Sequence, residues 1–105
     1  KKPKRILIAE PNSDIRVLYS LFTKQYGFSI SDVSIVESGN KCLDIIFYDT
    51  AEDNNNKYDI IILDTHIHDI SGFEVAKKIR NRLPHKKIIL TTTNSLDSFF
   101  SSLIC

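Results

Sequence analysis

Tyr58-Asp59-Ile60-Ile61-Ile62-Leu63-Asp64 is the most hydrophobic run of the chain, and it ends on a carboxylate. A segment apolar on both faces has the pattern of a parallel strand buried in the middle of a sheet. It stops abruptly at Asp64, and a polar loop from Thr65 to Gly72 follows. Outward from it, short apolar runs recur at Arg5-Ile6-Leu7-Ile8-Ala9, at Val33 to Val36 and at Lys87-Ile88-Ile89-Leu90-Thr91. Four strands are expected.

Segments of helical period separate them. Pro11-Asn12-Ser13-Asp14 supplies a turn and a cap, so a helix starts near Asn12 or Ser13. Its apolar positions Ile15, Leu18, Leu21, Phe22 and Gln25-Tyr26 keep a 3.6 period, and Gly27 closes it as a C′ glycine. Ser38-Gly39-Asn40 opens a second helix with Cys42, Leu43, Ile45, Ile46 and Phe47 inward. A third carries Phe73, Val75, Ala76, Ile79 and Leu83 inward and Lys77, Lys78, Arg80 and Arg82 outward, and Pro84 ends it. Asn94 or Ser95 caps a fourth with Leu96, Phe99, Phe100 and Leu103. The polar stretch from Asp49 to Lys57 reads as an exposed loop. The β-α-β-α-β-α-β-α order predicts an α/β, doubly wound parallel sheet with right-handed crossovers.

The 105 residues, with 14 Lys+Arg against 13 Asp+Glu and a net charge of +1, suit one domain spanning 1–105 and exclude a large multidomain enzyme. That balance gives no strong field for direct nucleic-acid binding or for an anionic membrane. No apolar run approaches the roughly 20 residues that cross a bilayer, and no signal-peptide pattern follows the first lysines. A soluble, cytoplasmic protein is expected. Cys42 and Cys105 lack ligand spacing and lie in apolar surroundings, so they read as reduced core residues.

In doubly wound sheets ligands bind beyond the carboxyl ends of the strands, where strand order reverses. The residues there are Glu10 after the first strand, Asp64 after the third, and Thr91, Thr92 and Thr93 after the fourth. A flavodoxin-like order 2-1-3-4-5 makes the first and third strands neighbours and brings Glu10 and Asp64 together. Two carboxylates and a hydroxyl in a strand-end cleft suit a hard divalent cation, a carboxylate nucleophile, or both. Ala9-Glu10-Pro11-Asn12-Ser13 has neither glycine-rich phosphate motif, which disfavours a nucleotide site. His66 and His68 lack a third ligand at a usual spacing and read as polar loop residues.

The chain resembles the receiver domain of two-component response regulators. Asp64, seven residues, then Gly72-Phe73-Glu74 is similar to the pattern around that family's phosphoaccepting aspartate. Arg5 to Arg16 resembles its opening strand, acidic pair and Asp-Ile-Arg helix start; Ser38 to Leu43 resembles its Asn-Gly-x-x-Ala-Leu helix, and Ile88 to Thr93 its fourth strand ending in Thr-Ala. The resemblance implies that Asp64 is the phosphoacceptor and that Glu10, Asp64 and the backbone carbonyl of His66 hold Mg²⁺. It implies a switch hydroxyl on Thr92, with Thr93 at the small position after it, and interface residues among Phe99 and Phe100. The implied partners are a histidine kinase or phosphotransfer protein and an output domain or effector.

Three departures stand out. Pro11 replaces the second acid and should weaken the metal site, by the roughly 1 to 3 kcal/mol of a lost charged contact. His68 stands where the family customarily has proline. The fifth strand with its lysine, and the last helix, have no counterpart, and Lys86 and Lys87 precede the fourth strand at its wrong end. A sheet ending there exposes Ile88 to Leu90 on an edge, so dimerisation, strand exchange or marginal stability is expected. Two other functions compete with the phosphoacceptor. One is a non-phosphorylated pseudo-receiver acting as a protein-interaction module, and the other an unrelated metal-assisted hydrolase using Glu10 and Asp64.

Overall fold

The computed structural model describes residues 4–48 and 58–92. Thr93, the expected helix with Phe99 and Phe100, the loop 49–57 and Cys105 lie outside the described residues.

Four strands, β1 (Ile6–Ala9), β2 (Val33–Val36), β3 (Ile60–Asp64) and β4 (Lys87–Thr91), alternate with three helices, α1 (Ser13–Gln25), α2 (Gly39–Tyr48) and α3 (Gly72–Arg82). The sheet is parallel with order β2-β1-β3-β4. This is the flavodoxin-like arrangement, with the first and third strands side by side. Because the step from β1 to β2 runs one way and the later steps run the other, right-handed crossovers put α1 on one face and α2 and α3 on the opposite face.

The core follows from that split. On the α2 and α3 face, Leu7, Ala9, Ile61 and Leu63 of the central strands are buried with Cys42, Ile46, Val75 and Ile79. Ile6, Ile8 and Ile15 are buried outside that cluster, on the face α1 covers. Cys42 is a core residue, and burial pushes its thiol up to about 12, which keeps it protonated and unreactive.

Helix ends are set locally. Asn12 caps α1, its side chain accepting from the N–H groups of Asp14 (2.8 Å) and Ile15 (3.2 Å). At the other end Gly27, at φ +95°, lets its N–H reach Lys24 O (3.1 Å) and the Phe28 N–H reach Thr23 O (3.0 Å), the paired bonds of a Schellman stop.

One expectation fails: Phe73, expected inward, is 62% exposed, and along α1 Leu21, Phe22 and Tyr26, which keep the helical period, are exposed as well. In α1 Ile15 is the buried residue. Phe73 follows Gly72 in the first turn of α3 and stands on the solvent side of Val75 and Ile79. A short 3₁₀ turn, Ile30–Asp32, leads into β2 with no sequence signal strong enough to place it.

Candidate functional site

β1 and β3 pair with Ala9 opposite Leu63, so the next residue on each, Glu10 and Asp64, reaches the same level at the carboxyl edge. Side chains alternate along a strand. Ala9 and Leu63 face α2 and α3, and Glu10 and Asp64 therefore project toward the face of α1. Both are 1% exposed. Two buried carboxylates on adjacent strands repel, and the pKa of Glu10 rises: burial is the main cause and the charge of Asp64 adds to it. The Asn12 N–H, donating to Glu10 Oε2 at 3.0 Å, and the charge of Arg16 act in the opposite direction. Glu10 thus also secures the entry to α1.

Pro11, between Glu10 and the cap, offers only its carbonyl. Arg16 Nη1 donates to the carbonyl oxygens of both Glu10 and Pro11, each at 2.9 Å. Arg16, whose sequence context marks only a helix start, holds the turn after β1 in place.

β4 supplies the hydroxyls. Thr91 is the register partner of Asp64 and therefore shares its face, and its carbonyl accepts from the Thr65 N–H at 2.8 Å. Thr92 is half-buried one residue further on, at the end of the strand. Tyr19 of α1 belongs to this neighbourhood. Its phenol pKa is raised by burial first and then by the charges of Glu10 and Asp64, while a hydrogen bond with the Thr91 side chain lowers it. Nothing local in the α1 sequence points to Tyr19, because its neighbours lie on three other elements.

The loop after β3 is pinned at several points. His66 is exposed in the turn two residues beyond Asp64, its Nδ1 3.0 Å from Thr65 Oγ1; His68 is exposed as well. Asp69 reaches α2, where its carboxylate accepts the N–H groups of Gly39 (3.0 Å) and Asn40 (2.9 Å). Ser71 caps α3 through the Glu74 N–H at 3.2 Å. Gly72 packs on the strand end so closely that a Cβ there would lie 2.3 Å from Asp64 O. The Gly72 of the sequence motif therefore has a steric reason.

Lys86 stands at the opposite end of the sheet, where its Nζ donates to the Tyr58 carbonyl. Burial pushes its pKa down against the pull of Asp59. It is remote from the carboxylates, as the sequence implied.

Among the described residues no group of three His, Cys, Asp or Glu side chains could hold a metal unaided. Mg²⁺ does not require one, since it retains waters and binds through one or two carboxylates plus phosphate oxygens. Glu10 and Asp64, buried, like-charged and adjacent, fit that donor set, with Pro11 withholding a third carboxylate.

The family model for the response regulator receiver domain matches residues 6–104. Hybrid signal transduction histidine kinase I of Dictyostelium discoideum is 31% identical over 99 residues, which is 90% of this chain and 5% of that protein. A chain in the crystal structure of histidine kinase ThkA in complex with response regulator protein TrrA is 33% identical with a TM-score of 0.71, covering 87% of this chain and 70% of that one. TrrA from Thermotoga maritima in complex with Mg²⁺-BeF gives the same identity and score over 86% of this chain and 70% of that one. The chain spans 5 to 26% of the length of the curated relatives it matches. No described helix is long and apolar enough to cross a membrane.

Proposed function

We propose that this chain, which belongs to the response regulator receiver domain family, accepts a phosphoryl group on Asp64 from a histidine kinase or phosphotransfer protein and passes the signal to an output domain or effector. The observation that carries the proposal is the convergence of buried Glu10 and Asp64 at the carboxyl edge of adjacent strands, beside the hydroxyl-bearing end of β4. The likeness to TrrA, whose structure contains Mg²⁺-BeF, supports it.

In the proposed reaction an Asp64 carboxylate oxygen attacks phosphorus and forms the new P–O bond. The bond from phosphorus to the donor's imidazole nitrogen breaks, and the imidazole leaves as the neutral ring after taking a proton from water. The product is an aspartyl acyl phosphate. Mg²⁺, when bound, supplies charge neutralisation for the carboxylate and the phosphoryl oxygens. Glu10, Asp64 and the His66 backbone carbonyl are the groups that would hold it. Thr92 is the proposed switch hydroxyl, turning toward the added charge, and Thr93 the small residue behind it. Residues 1–105 act in this reading as one receiver unit in the cytoplasm. Phe99 and Phe100 are proposed for a partner interface, and the β4 edge, where Ile89 and Leu90 are 39% and 40% exposed, for pairing with a second copy.

A second reading, a pseudo-receiver that binds partners without being phosphorylated, is favoured by Pro11 alone. Incubation with Mg²⁺ and a small acyl phosphate, followed by mass measurement, separates the two. One added phosphoryl group on the wild type and none on Asp64→Asn is expected. A wild type that gains none overturns the phosphoacceptor and leaves the pseudo-receiver.

A further inference from the structure

Asp69 joins two parts of the molecule that the chain keeps far apart. It lies in the loop between β3 and α3, yet its carboxylate bonds Gly39 N at 3.0 Å and Asn40 N at 2.9 Å, at the start of α2. Those N–H groups have no partner within their own helix, and the helix dipole favours a negative charge there. The same junction is closed from the other side. A Cβ at Gly39 would lie 2.4 Å from Ile70 Cγ2 and 2.9 Å from Val75 Cγ2, so α2 and the loop touch with no room for a methyl group. Burial works to raise the Asp69 pKa, but the N–H donors of Asn40, Gly39, Asp69 and Ile70 outweigh it and hold the carboxylate ionised.

Between Asp64 and Asp69 the loop has only Thr65, His66, Ile67 and His68. Thr65 is tied to β4 through its N–H, and Ile67 is buried. The His66 carbonyl therefore sits between two anchored points, one on the sheet and one on α2. A hard cation that demands near-ideal octahedral geometry is sensitive to small displacements of such a carbonyl.

We propose that Asp69 is a positioning residue: by clamping the loop 65–70 to the start of α2, it sets the His66 carbonyl for Mg²⁺ and makes the seat of α2 report on metal binding. This rests on the phosphoacceptor reading of Asp64. The coupling is reciprocal, since an ion that fixes the loop must also tighten the Asp69 contacts with Gly39 and Asn40.

The test is a Mg²⁺ titration of wild type, Asp69→Ala, Asp69→Asn and Gly39→Ala, followed by tyrosine fluorescence, with amide hydrogen exchange at Gly39, Asn40 and Lys41. Circular dichroism and an unfolding curve establish that each variant is folded at the temperature used. Asp69→Ala should weaken Mg²⁺ binding on the order of tenfold. Asp69→Asn, which keeps an acceptor, should recover part of the loss. Gly39→Ala keeps the Asp69 side chain but forces the first residue of α2, whose N–H Asp69 accepts, away from Ile70, and it should weaken Mg²⁺ binding in the same direction. In wild type, saturating Mg²⁺ should slow exchange at Gly39 and Asn40, and Asp69→Ala should abolish that slowing. If folded Asp69→Ala binds Mg²⁺ as the wild type does, Asp69 is only a helix cap and the positioning role is overturned while the phosphoacceptor reading stands. If the wild type neither binds Mg²⁺ nor accepts a phosphoryl group, the phosphoacceptor reading fails and takes this role with it.

Discussion

Gly72 and Asp64 are in backbone contact: a Cβ on Gly72 would stand 2.3 Å from the Asp64 carbonyl oxygen and 2.9 Å from its carbon. Ala in place of Gly favours an ordinary helix by roughly 1 kcal/mol. Here the obstacle is strand backbone, and overpacking of this kind costs about 1 to 3 kcal/mol. Gly72→Ala should therefore lower stability in urea unfolding by up to about 2 kcal/mol net. It should also slow phosphoryl transfer to Asp64, because the strand end must move.

Glu10→Gln should stabilise the metal-free protein at neutral pH while weakening Mg²⁺ binding. The Glu10 pKa is raised, chiefly by burial and then by Asp64. A raised carboxyl pKa contributes stability that is fully present below the unfolded value and is lost as pH rises through the folded one. The gain from Glu10→Gln should accordingly be largest near pH 7 and vanish below about pH 4. Thermal unfolding of both proteins in a chelating buffer across that range checks the sign.

Asp69 titrates with the opposite sense. Its pKa is held below the usual value by the N–H donors that outweigh burial. Its contribution is present above the unfolded pKa and is lost as pH falls through the folded one. Asp69→Asn, which keeps an acceptor but removes the charge at the start of α2, should cost roughly 0.3 to 1 kcal/mol at pH 7 and progressively less below about pH 4. Urea unfolding at pH 7 and pH 3 measures the difference.

Ile79 and Phe73 share α3 and should respond very differently to truncation. Ile79 is fully buried and Phe73 is 62% exposed. Ile79→Ala should cost about 2 to 5 kcal/mol, and Phe73→Ala under about 1 kcal/mol. A Phe73 loss as large as that of Ile79 would contradict the placement of Phe73 at the surface. Parallel urea titrations suffice.

The strands and helix starts were legible because each is specified locally. The double-faced apolar run Ile60 to Leu63 can only be a central strand, and Asn12 and Gly27 carry the capping chemistry that ends α1. Glu10 and Asp64 were legible as strand-end carboxylates. Their being neighbours depended on strand order, which the alternation of elements constrains without fixing. The exposure of Phe73 was not legible, because periodicity says which side of a helix is apolar, not how much of that side its neighbours cover. The roles of Arg16, Tyr19 and Asp69 had no readable signal at all.

By itself the sequence determined the α/β alternation, the turn chemistry and the carboxylate that ends β3, since all of these rest on interactions within a few residues. The tertiary structure alone decided that Glu10 and Asp64 share a buried edge, that Thr91 stands in register with Asp64, and that Asp69 closes the start of α2. The Asp69 contacts with Gly39 and Asn40 span 30 and 29 residues of chain. They exist because right-handed crossovers put α2 and the β3–α3 loop on the same side of the sheet. Geometry between distant segments, not the chemistry of any one of them, sets where the buried charges of this molecule meet.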